Sequence, residues 1–301
     1  MLICTKFRIY LVTSLLSKQK VIKNNIIPLS INCKGSLIDL SEPKVMGILN
    51  LSNDSFYDGG KYNTIKSALE QAEKMVREGA TFIDLGAASS KPGSKLITSK
   101  EEQKILLPVL HELQNQFPNI YFSIDTYNHS VAHACLSEGA AMINDISGGL
   151  IDPKMYTTVA KFRVPYVMMH MQGTPQNMQD NPSYNDIVPE ILAFFSLRTS
   201  AALASGIHDI IIDPGFGFGK NHEQNFKLLY HLKEFQILGC PILMGVSRKS
   251  MIYKYLNSSP SEALNGTTAL HAWGLERGAN ILRVHDVKQA KECIDLWGTL
   301  Q

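Results

Sequence analysis

Cysteine is scarce in this sequence and is not paired. Only five of the 301 residues are cysteine, at positions 4, 33, 135, 240 and 293, and no two of them form a C-x-x-C motif. This spacing argues against a zinc knuckle and against a scaffold held together by disulfide bonds. We therefore expect a protein of a reducing, cytoplasmic compartment.

An excess of charge of one sign is also missing. The 29 basic and 27 acidic residues leave a formal net charge of +2, so the broad basic surface that nucleic-acid binding requires is not expected. Residues 9–16 form one short apolar run, far below the roughly 20 residues of a membrane span. Neither nucleic acid nor a membrane is predicted as a partner.

The N-terminal residues differ in composition from the rest of the chain. Residues 1–38 contain six basic side chains and no acidic one. We expect residues 1–28 to be a poorly ordered extension or the product of an upstream start codon, with an export signal or another docking role as alternatives. Residues 29–301 are then close to the roughly 250 residues typical of a single (β/α)8 barrel domain.

Eight short apolar runs, each ending in polar or charged residues, recur along the chain. They end at Asn50, Asp84, Asp125, Asn144 with Asp145, His170, Asp213, the 247–250 segment, and Arg283 with His285. Such runs are typical of buried parallel strands that open onto a polar face. Amphipathic segments between them predict an α/β protein. The count of eight favours a closed (β/α)8 TIM barrel over a doubly wound open sheet, with the active site at the carboxyl ends of the strands.

The predicted boundaries follow from the same pattern. Strands are expected at 45–50, 81–85, 121–125, 142–145, 166–170, 210–213, 241–245 and 280–284. Helices are expected near 64–79, 99–116, 129–138, 153–162, 185–205, 222–236, 249–277 and 286–297. Residues 30–40 are predicted to form a short N-terminal β-hairpin around Lys34 and Gly35, which could plug the bottom of the barrel.

The glycine-rich loop after the sixth predicted strand reads D-P-G-F-G-F-G-K at 213–220. It is not a P-loop, because Pro214 stands where the first glycine is required and Asn221 where Ser or Thr is required. Its glycines predict a tight loop whose backbone approaches a flat ligand, on which Phe218 could stack. A merely structural turn is the alternative.

Three acceptor side chains are predicted to converge at the barrel mouth: Asp125, Asn144 and Asp213. A carboxylate accepts two parallel N–H donors, and the edge of a 2-amino-4-oxo-pyrimidine offers such a pair. Taken singly, each residue fits a strand-end cap equally well. Together they favour ligand binding.

A second predicted cluster is suited to anions. Arg283 and His285 follow the eighth strand, and Asn50 follows the first, which is its neighbour in a closed barrel. Arginine and histidine near a helix N-terminus predict a phosphate site. The Asn50 oxygen would suit Mg²⁺, which takes few protein ligands beside phosphate oxygens and water.

Eight motifs, in order over roughly residues 30–301, make the chain resemble the dihydropteroate synthase family. They are M-G-I-L-N-L-S-N-D-S-F-Y-D-G-G (46–60), D-L-G-A-A-S-S-K-P-G (84–93), S-I-D-T-Y (123–127), I-N-D-I-S-G-G (143–149), M-H-M-Q-G-T-P-Q (169–176), D-P-G-F-G-F-G-K (213–220), G-V-S-R-K-S (245–250) and R-V-H-D-V (283–287). The resemblance implies a TIM barrel, usually a homodimer. It also implies a folate-pathway transferase that joins 6-hydroxymethyl-7,8-dihydropterin diphosphate to p-aminobenzoate and releases pyrophosphate.

The resemblance also implies a role for each site residue. Asn50 would bind Mg²⁺ together with the diphosphate, and Arg283 and His285 would hold the diphosphate oxygens. The pterin would be recognised by Asp125, Asn144, Asp213 and Lys249, and the p-aminobenzoate would be framed by Ser90, Lys91, Pro92, Phe218 and Ser250. Asp54 would lie on a mobile loop that closes over the site. The catalytic residues would be Asp125, Lys249, Arg283 and His285. Diphosphate would leave first, and the aniline nitrogen would attack a cation that Asp125 stabilises.

Two departures from the family pattern concern loops. Where the family commonly has E-S-T-R-P-G, this chain has A-S-S-K-P-G at 88–93, so Lys91 loses the planar fork of arginine. Ser52 and Asn53 replace the usual Thr-Pro of the first loop. A pterin-dependent corrinoid methyltransferase and a non-catalytic pterin-binding paralogue are the alternatives. Lys249 and Arg248 could also be solvated charges at a helix start.

Overall fold

The computed structural model describes residues 29–51, 60–87 (side chains from residue 65) and 97–300. Within these ranges the strands are β1 (Ser30–Cys33), β2 (Ser36–Asp39), β3 (Lys44–Asn50), β4 (Phe82–Gly86), β5 (Tyr121–Asp125), β6 (Met142–Asp145), β7 (Tyr166–Met169), β8 (Ile210–Asp213), β9 (Leu243–Met244) and β10 (Ile281–Val284). Three predicted strands, β5, β6 and β8, have the predicted bounds.

The helices alternate with strands β3 to β10. They are α1 (Gly60–Arg77), α2 (Ser99–Gln116), α3 (His129–Ser137), α4 (Met155–Phe162), α5 (Ile187–Ala204), α6 (His222–Tyr230), α7 (Ser250–Tyr253), α8 (Leu264–Glu276) and α9 (Val287–Gly298), with 3₁₀ turns at Leu232–Leu238 and Pro260–Glu262. The predicted helical region 249–277 is thus three pieces, because Ser259 and Glu262 form a capping box that begins a new turn at Pro260.

The eight strands β3 to β10 form one parallel sheet that closes on itself. The sheet order is β8-β7-β6-β5-β4-β3-β10-β9. A parallel bridge between Ile212 and Ile242 joins its two edges, and the Ile212 N–H donates to the Pro241 carbonyl over 2.9 Å. This arrangement confirms the predicted (β/α)8 TIM barrel. Strand β9 is shorter than the predicted 241–245, in part because Pro241 has no N–H to donate.

The antiparallel hairpin of β1 and β2 covers the amino-terminal end of the barrel, as predicted. Its two-residue turn has positive φ at Lys34 (55°) and Gly35 (88°), as a tight hairpin needs. The hairpin's Ile31 and Cys33 and the following Leu40 are buried in a cluster with barrel residues. Those residues include Met46, Phe82, Met142, Val167, Ile211 and Leu243. The opposite end of the barrel carries the polar strand ends.

Helix α5 is the one described helix that is long and apolar enough to cross a membrane by length and composition. It buries Ile191, Phe195 and Ala202, and the Phe195 ring meets the Phe235 ring edge-on at 6.1 Å. The apolar composition of this helix serves packing in the outer layer of the barrel.

Candidate active site

Asp84 lies at the centre of the polar groups at the carboxyl end of the sheet. Its Oδ2 accepts a hydrogen bond from Nδ2 of Asn144 at 2.8 Å and one from Nε of Arg283 at 2.7 Å. Nη2 of Arg283 donates to Oδ2 of Asp125 at 2.8 Å. One guanidinium therefore joins the ends of β4, β5 and β10.

Burial and charge act in opposite directions on this cluster. Burial raises the pKa of Asp125 to about 7, although Arg283 opposes the shift and Asp84 adds to it. Burial alone would lower the pKa of Arg283, but the carboxylates of Asp84 and Asp125 raise it above its ordinary value. Arg283 therefore stays charged, and its charge favours the ionised form of Asp125 against the effect of burial.

Asp213 and Lys249 approach the same space from β8 and from the start of α7. A Cβ placed on Gly245 would be 4.0 Å from Oδ2 of Asp213, 3.9 Å from Nζ of Lys249 and 4.0 Å from Cβ of Arg283. Gly245 thus leaves open a space that these side chains border. Oδ1 of Asp213 accepts the Gly215 N–H at 2.7 Å, which fixes the carboxylate at the strand end.

Lys249 is not a solvated helix-start charge. Its ammonium donates to the carbonyl of Phe216 and lies 4.5 Å from the centre of the Phe218 ring. Burial lowers its pKa to about 8, with Asp213 opposing that shift. Burial likewise raises the pKa of Asp213, which Lys249 opposes. The opposite charges of the two residues interact in a partly desolvated space beside an aromatic ring.

The glycines of the 213–220 loop have two different uses. A Cβ at Gly215 would be 1.9 Å from the His170 carbonyl oxygen, and one at Gly219 would be 2.6 Å from the Gln172 carbonyl oxygen. These two glycines therefore allow the loop to pack closely on the end of β7, which is a structural use. Gly217 instead leaves room for the Lys249 side chain, because a Cβ there would be 3.2 Å from Cδ of Lys249.

Lys220 fastens this loop from inside the protein. Its buried ammonium donates to the carbonyls of Gly215 and Phe218 at 2.9 Å each and to that of His170 at 3.3 Å. It also lies 3.1 Å from Nδ1 of His170. Burial, with the nearby Lys220 charge, lowers the pKa of His170 to about 2. His170 is therefore a neutral acceptor beside the loop.

His285 and Asn50 lie at the rim of the same mouth. Nδ1 of His285 is 3.0 Å from Oγ of Ser247. Burial and the positive charge of Arg283 lower the pKa of His285 to about 4, although part of the ring is exposed. Asn50 is exposed, and its Oδ1 would be 3.5 Å from a Cβ placed on Gly86.

The structure brings together most of the predicted site residues that it describes. Asp125, Asn144, Asp213, Lys249 and Arg283 share the mouth, Phe218 is stacked under Lys249, Ser250 begins α7 beside it, and Asn50 and His285 border the mouth. Asp54, Ser90, Lys91 and Pro92 lie outside the described residues. The sequence predicts Arg283 in an anion site apart from the acids. In the structure, Arg283 also forms ion pairs with Asp84 and Asp125.

Asp84 is the residue that sequence reasoning missed as a site residue. It is fully buried and links Arg283 to Asn144, whereas the sequence pattern marks it only as the end of an apolar run. The signal was available, since Asp84 opens the second motif and falls at the carboxyl end of a buried strand. Its partners could not be found from the sequence, because they are 60 and 199 residues away along the chain.

The closed barrel and its mouth define a TIM-barrel enzyme with paired acids and cations around an open cleft. Residues 46–285 match the family of pterin binding enzymes. Dihydropteroate synthase of Escherichia coli (strain K12) is 40% identical over 263 residues, which is 87% of this chain and 93% of that protein.

Solved structures agree with this match. The chain superposes on the Yersinia pestis dihydropteroate synthase, solved with a sulfonamide drug complex, with a TM-score of 0.85 and 39% identity over 90% of this chain and 99% of that one. The Xanthomonas albilineans dihydropteroate synthase with 4-aminobenzoic acid gives a TM-score of 0.84 and 38% identity over 90% and 98%. The chain belongs to the dihydropteroate synthase family of pterin-binding enzymes, and it is a transferase of folate biosynthesis.

Proposed function

We propose that the barrel mouth carries out the family's condensation, in which 6-hydroxymethyl-7,8-dihydropterin diphosphate and p-aminobenzoate give 7,8-dihydropteroate and pyrophosphate. The observation that carries this proposal is the convergence of Asp125, Asn144, Asp213, Lys249 and Arg283 on one cleft. Acidic and amide acceptors alternate with cations around that cleft. A pterin with a diphosphate leaving group needs both, acceptors for the N–H groups of the ring and cations for the phosphate oxygens.

The pterin ring would bind between Asn144, Asp213 and Lys249. A pterin offers a 2-amino group and an adjacent ring N–H, and a carboxylate accepts two such donors side by side. Asp213 has Oδ1 on the Gly215 N–H, and its other oxygen borders the space that Gly245 leaves open. Lys249 beside it would donate to pterin oxygen or nitrogen acceptors.

Asp125 would act electrostatically during loss of diphosphate. Departure of the leaving group leaves positive charge on the pterin methylene, and a fixed carboxylate close by stabilises such charge. Asp125 is held for this purpose by Nη2 of Arg283. Its role requires the ionised form, which Arg283 favours against the effect of burial. The aniline nitrogen of p-aminobenzoate then forms the new C–N bond and loses one N–H proton, which the departing pyrophosphate or water takes up.

Arg283 and His285 would hold the diphosphate. Two of the five N–H groups of Arg283 are used by Asp84 and Asp125, so the others can donate to phosphate oxygens. His285 would bind as a neutral imidazole because its pKa is low. With Nδ1 occupied by Ser247, its Nε2–H is the donor that would meet an oxygen.

The residues present fit a Mg²⁺ ion that is bound together with substrate. Within the described ranges no group of three or more His, Cys, Asp or Glu could hold a metal alone, and Mg²⁺ commonly takes one or two protein oxygens beside phosphate and water. Gly86 keeps the space between Oδ1 of Asn50 and the Asp125 carboxylate free of a side chain. Asn50 would supply the protein oxygen, and the ion would neutralise charge on the leaving diphosphate.

The p-aminobenzoate would lie on the loop side of the mouth, against Phe218 and Ser250. The family resemblance adds Ser90, Lys91, Pro92 and Asp54 to this site. Lys91 would meet the substrate carboxylate as a point charge, without the fork of arginine. The 4-aminobenzoic acid bound to the Xanthomonas albilineans relative supports this substrate for the present chain.

We also propose that the chain works as a cytoplasmic homodimer. Two exposed tyrosines lie with half-buried neighbours on the face formed by α6, α7 and α8. Arg277 lies over the Tyr230 ring at 5.8 Å, and the Phe226 ring meets the Tyr255 ring at 5.4 Å. Trp273 on α8 is 54% exposed. Analytical ultracentrifugation tests the proposal, and a monomer at micromolar concentration would contradict it.

The reaction itself is tested with purified protein, both substrates and Mg²⁺. We expect equal amounts of dihydropteroate and pyrophosphate, and no product when the divalent cation is chelated. The matched control omits p-aminobenzoate, which separates condensation from hydrolysis of the diphosphate. Pterin binding without product would instead favour the non-catalytic paralogue.

A further inference from the structure

The loop that presents Lys249 has a strained residue directly before it. Arg248 has φ of +53°, a left-handed conformation in which a residue with a Cβ is disfavoured. The neighbouring Lys249 and Ser250 and the nearby His285 are all part of the proposed site. Strain of this kind persists only where other contacts enforce it.

The contacts that enforce it come from the Arg248 side chain. Nε and Nη2 donate to the two carboxylate oxygens of Asp286, both at 2.8 Å. Nη1 donates to the carbonyls of Pro260 at 2.9 Å and Ser261 at 2.8 Å. The Arg248 N–H donates to Oγ1 of Thr267 at 3.1 Å. The guanidinium is thus committed to protein atoms.

Asp286 pairs with Arg248 instead of capping its own helix. It is the N-cap residue of α9, yet its side chain makes no capping hydrogen bond. An aspartate at this position normally accepts a backbone N–H of the first turn. Here both carboxylate oxygens are directed to Arg248 instead, in the bidentate geometry that fixes orientation best.

The pair bridges two loops that few backbone hydrogen bonds hold together. Strand β9 has only two residues, and its register with β10 ends at Met244 and Leu282. Beyond that point, two side-chain links connect the loops: Ser247 to His285, and Arg248 to Asp286. The first link includes His285 itself, and the second joins the sequence neighbours of Lys249 and His285.

We propose that Arg248 and Asp286 are positioning residues for the condensation. Their ion pair sets the distance between Lys249, on the pterin side, and His285, on the diphosphate side, without touching either substrate. This inference rests on the proposed function of the same mouth. The pair acts through its neighbours, so its loss should change catalysis in folded protein rather than only the stability of the fold.

A double-mutant cycle tests this proposal, with Arg248→Ala, Asp286→Ala and the double variant assayed well below each melting temperature. We expect each single change to lower kcat/KM for the pterin diphosphate by about tenfold or more. We expect kcat/KM of the double variant to be no more than about twofold below that of the less active single variant. Arg248→Lys should recover little, because an ammonium cannot form the two parallel bonds.

Two further measurements keep the outcome unambiguous. Asp286→Asn preserves the volume of the side chain, and this variant is assayed instead if Arg248→Ala does not fold. Lys291→Ala removes an exposed ion pair with Asp295 on the same helix α9 and should leave kcat/KM unchanged. Folded variants with kcat/KM within about twofold of wild type would overturn the positioning role, as would strictly additive losses. An inactive wild-type protein would instead overturn the proposed function.

Discussion

At the scale of single residues, burial shifts the pKa values of the mouth in the direction that favours the uncharged form of each group. Burial raises the pKa of Asp125 to about 7 and lowers that of Lys249 to about 8. Burial, with the charge of Arg283, lowers that of His285 to about 4. The site therefore presents a neutral imidazole together with charges that are paired with one another.

The carboxylate of Asp213 is predicted to carry much of the pterin affinity. Asp213→Asn keeps the shape of the side chain but removes the charge, and a charge-assisted hydrogen bond contributes about 1.5–3 kcal/mol. We expect the affinity for a pterin ligand to fall by about one to two decades, measured by calorimetry. Asp209→Asn, just before the opposite end of the same strand, is the control. Unchanged affinity for Asp213→Asn would reduce Asp213 to a strand cap.

His285 is predicted to remain neutral down to a pH of about 4. Its folded pKa of about 4 is below the ordinary 6.5, so between these values the unfolded chain binds a proton that the folded chain does not. Stability from this group is therefore present above pH 6.5 and is lost as the pH falls toward 4. An NMR titration of the ring measures this directly, and His285→Gln should remove that contribution. A midpoint near 6.5 would contradict the prediction.

At the scale of elements, the 213–220 loop depends on a buried cation and on two glycines. Its glycines allow it to pack on the end of β7, and Lys220 satisfies the carbonyls of Gly215 and Phe218 in the loop and of His170 beside it. Burial lowers the pKa of Lys220 well below its ordinary value. The loop in turn positions Phe218 and the Phe216 carbonyl against Lys249.

Replacing Lys220 by methionine should destabilise the protein and loosen this loop. The change keeps most of the side-chain volume but leaves the carbonyls of Phe218 and His170 without the Lys220 donor, each at a cost of about 1–3 kcal/mol, while the Gly215 carbonyl keeps the Phe218 N–H. We expect the free energy of unfolding in urea to fall by about 2–4 kcal/mol. Lys227→Met is the control, because Lys227 is exposed and forms a surface ion pair with Asp186, and it should change stability by less than about 1 kcal/mol. Equal effects of the two changes would rule out the fastening role.

At the scale of the whole molecule, two ends of one barrel have separate tasks. The amino-terminal end is filled with apolar side chains under the hairpin, and the carboxyl end carries the polar groups. In barrels of this kind, substitutions at the amino-terminal end affect stability and those at the carboxyl end affect function. The hairpin is thus a part of the core rather than an appendage.

This division predicts where the chain can be shortened. A chain that starts at Leu29 keeps Ile31, Cys33 and Leu40 in the lower cluster, so we expect it to retain the wild-type melting temperature and turnover. A chain that starts at Ser41 loses those three side chains, and buried aliphatic losses of this size cost about 2–5 kcal/mol each. Calorimetric melting separates the two. A large drop for the chain starting at Leu29 would show that residues 1–28 contribute to stability.

The alternation of buried runs and amphipathic segments was enough to predict the barrel. Each strand buries both faces, so its apolar run is continuous, and the polar residue that ends it marks the carboxyl end of the strand. For the same reason, most of the predicted barrel strands agree with the observed ones to within one residue at each end. There are two exceptions. Strand β9 is shorter than predicted, and the predicted helix 249–277 is broken at the capped Pro260 turn.

The sequence by itself determined which residue types would meet at the mouth, since parallel strands place all their carboxyl ends on one side. It did not determine how they pair. Asp84 and Arg283 are separated by 199 residues, and Arg248 is bonded to Asp286 across 38. Such contacts have no periodicity along the chain, because they depend on barrel closure and on side-chain orientation. Only the tertiary structure therefore decided that Asp84 links Arg283 to Asn144 and that Arg248 is paired with Asp286.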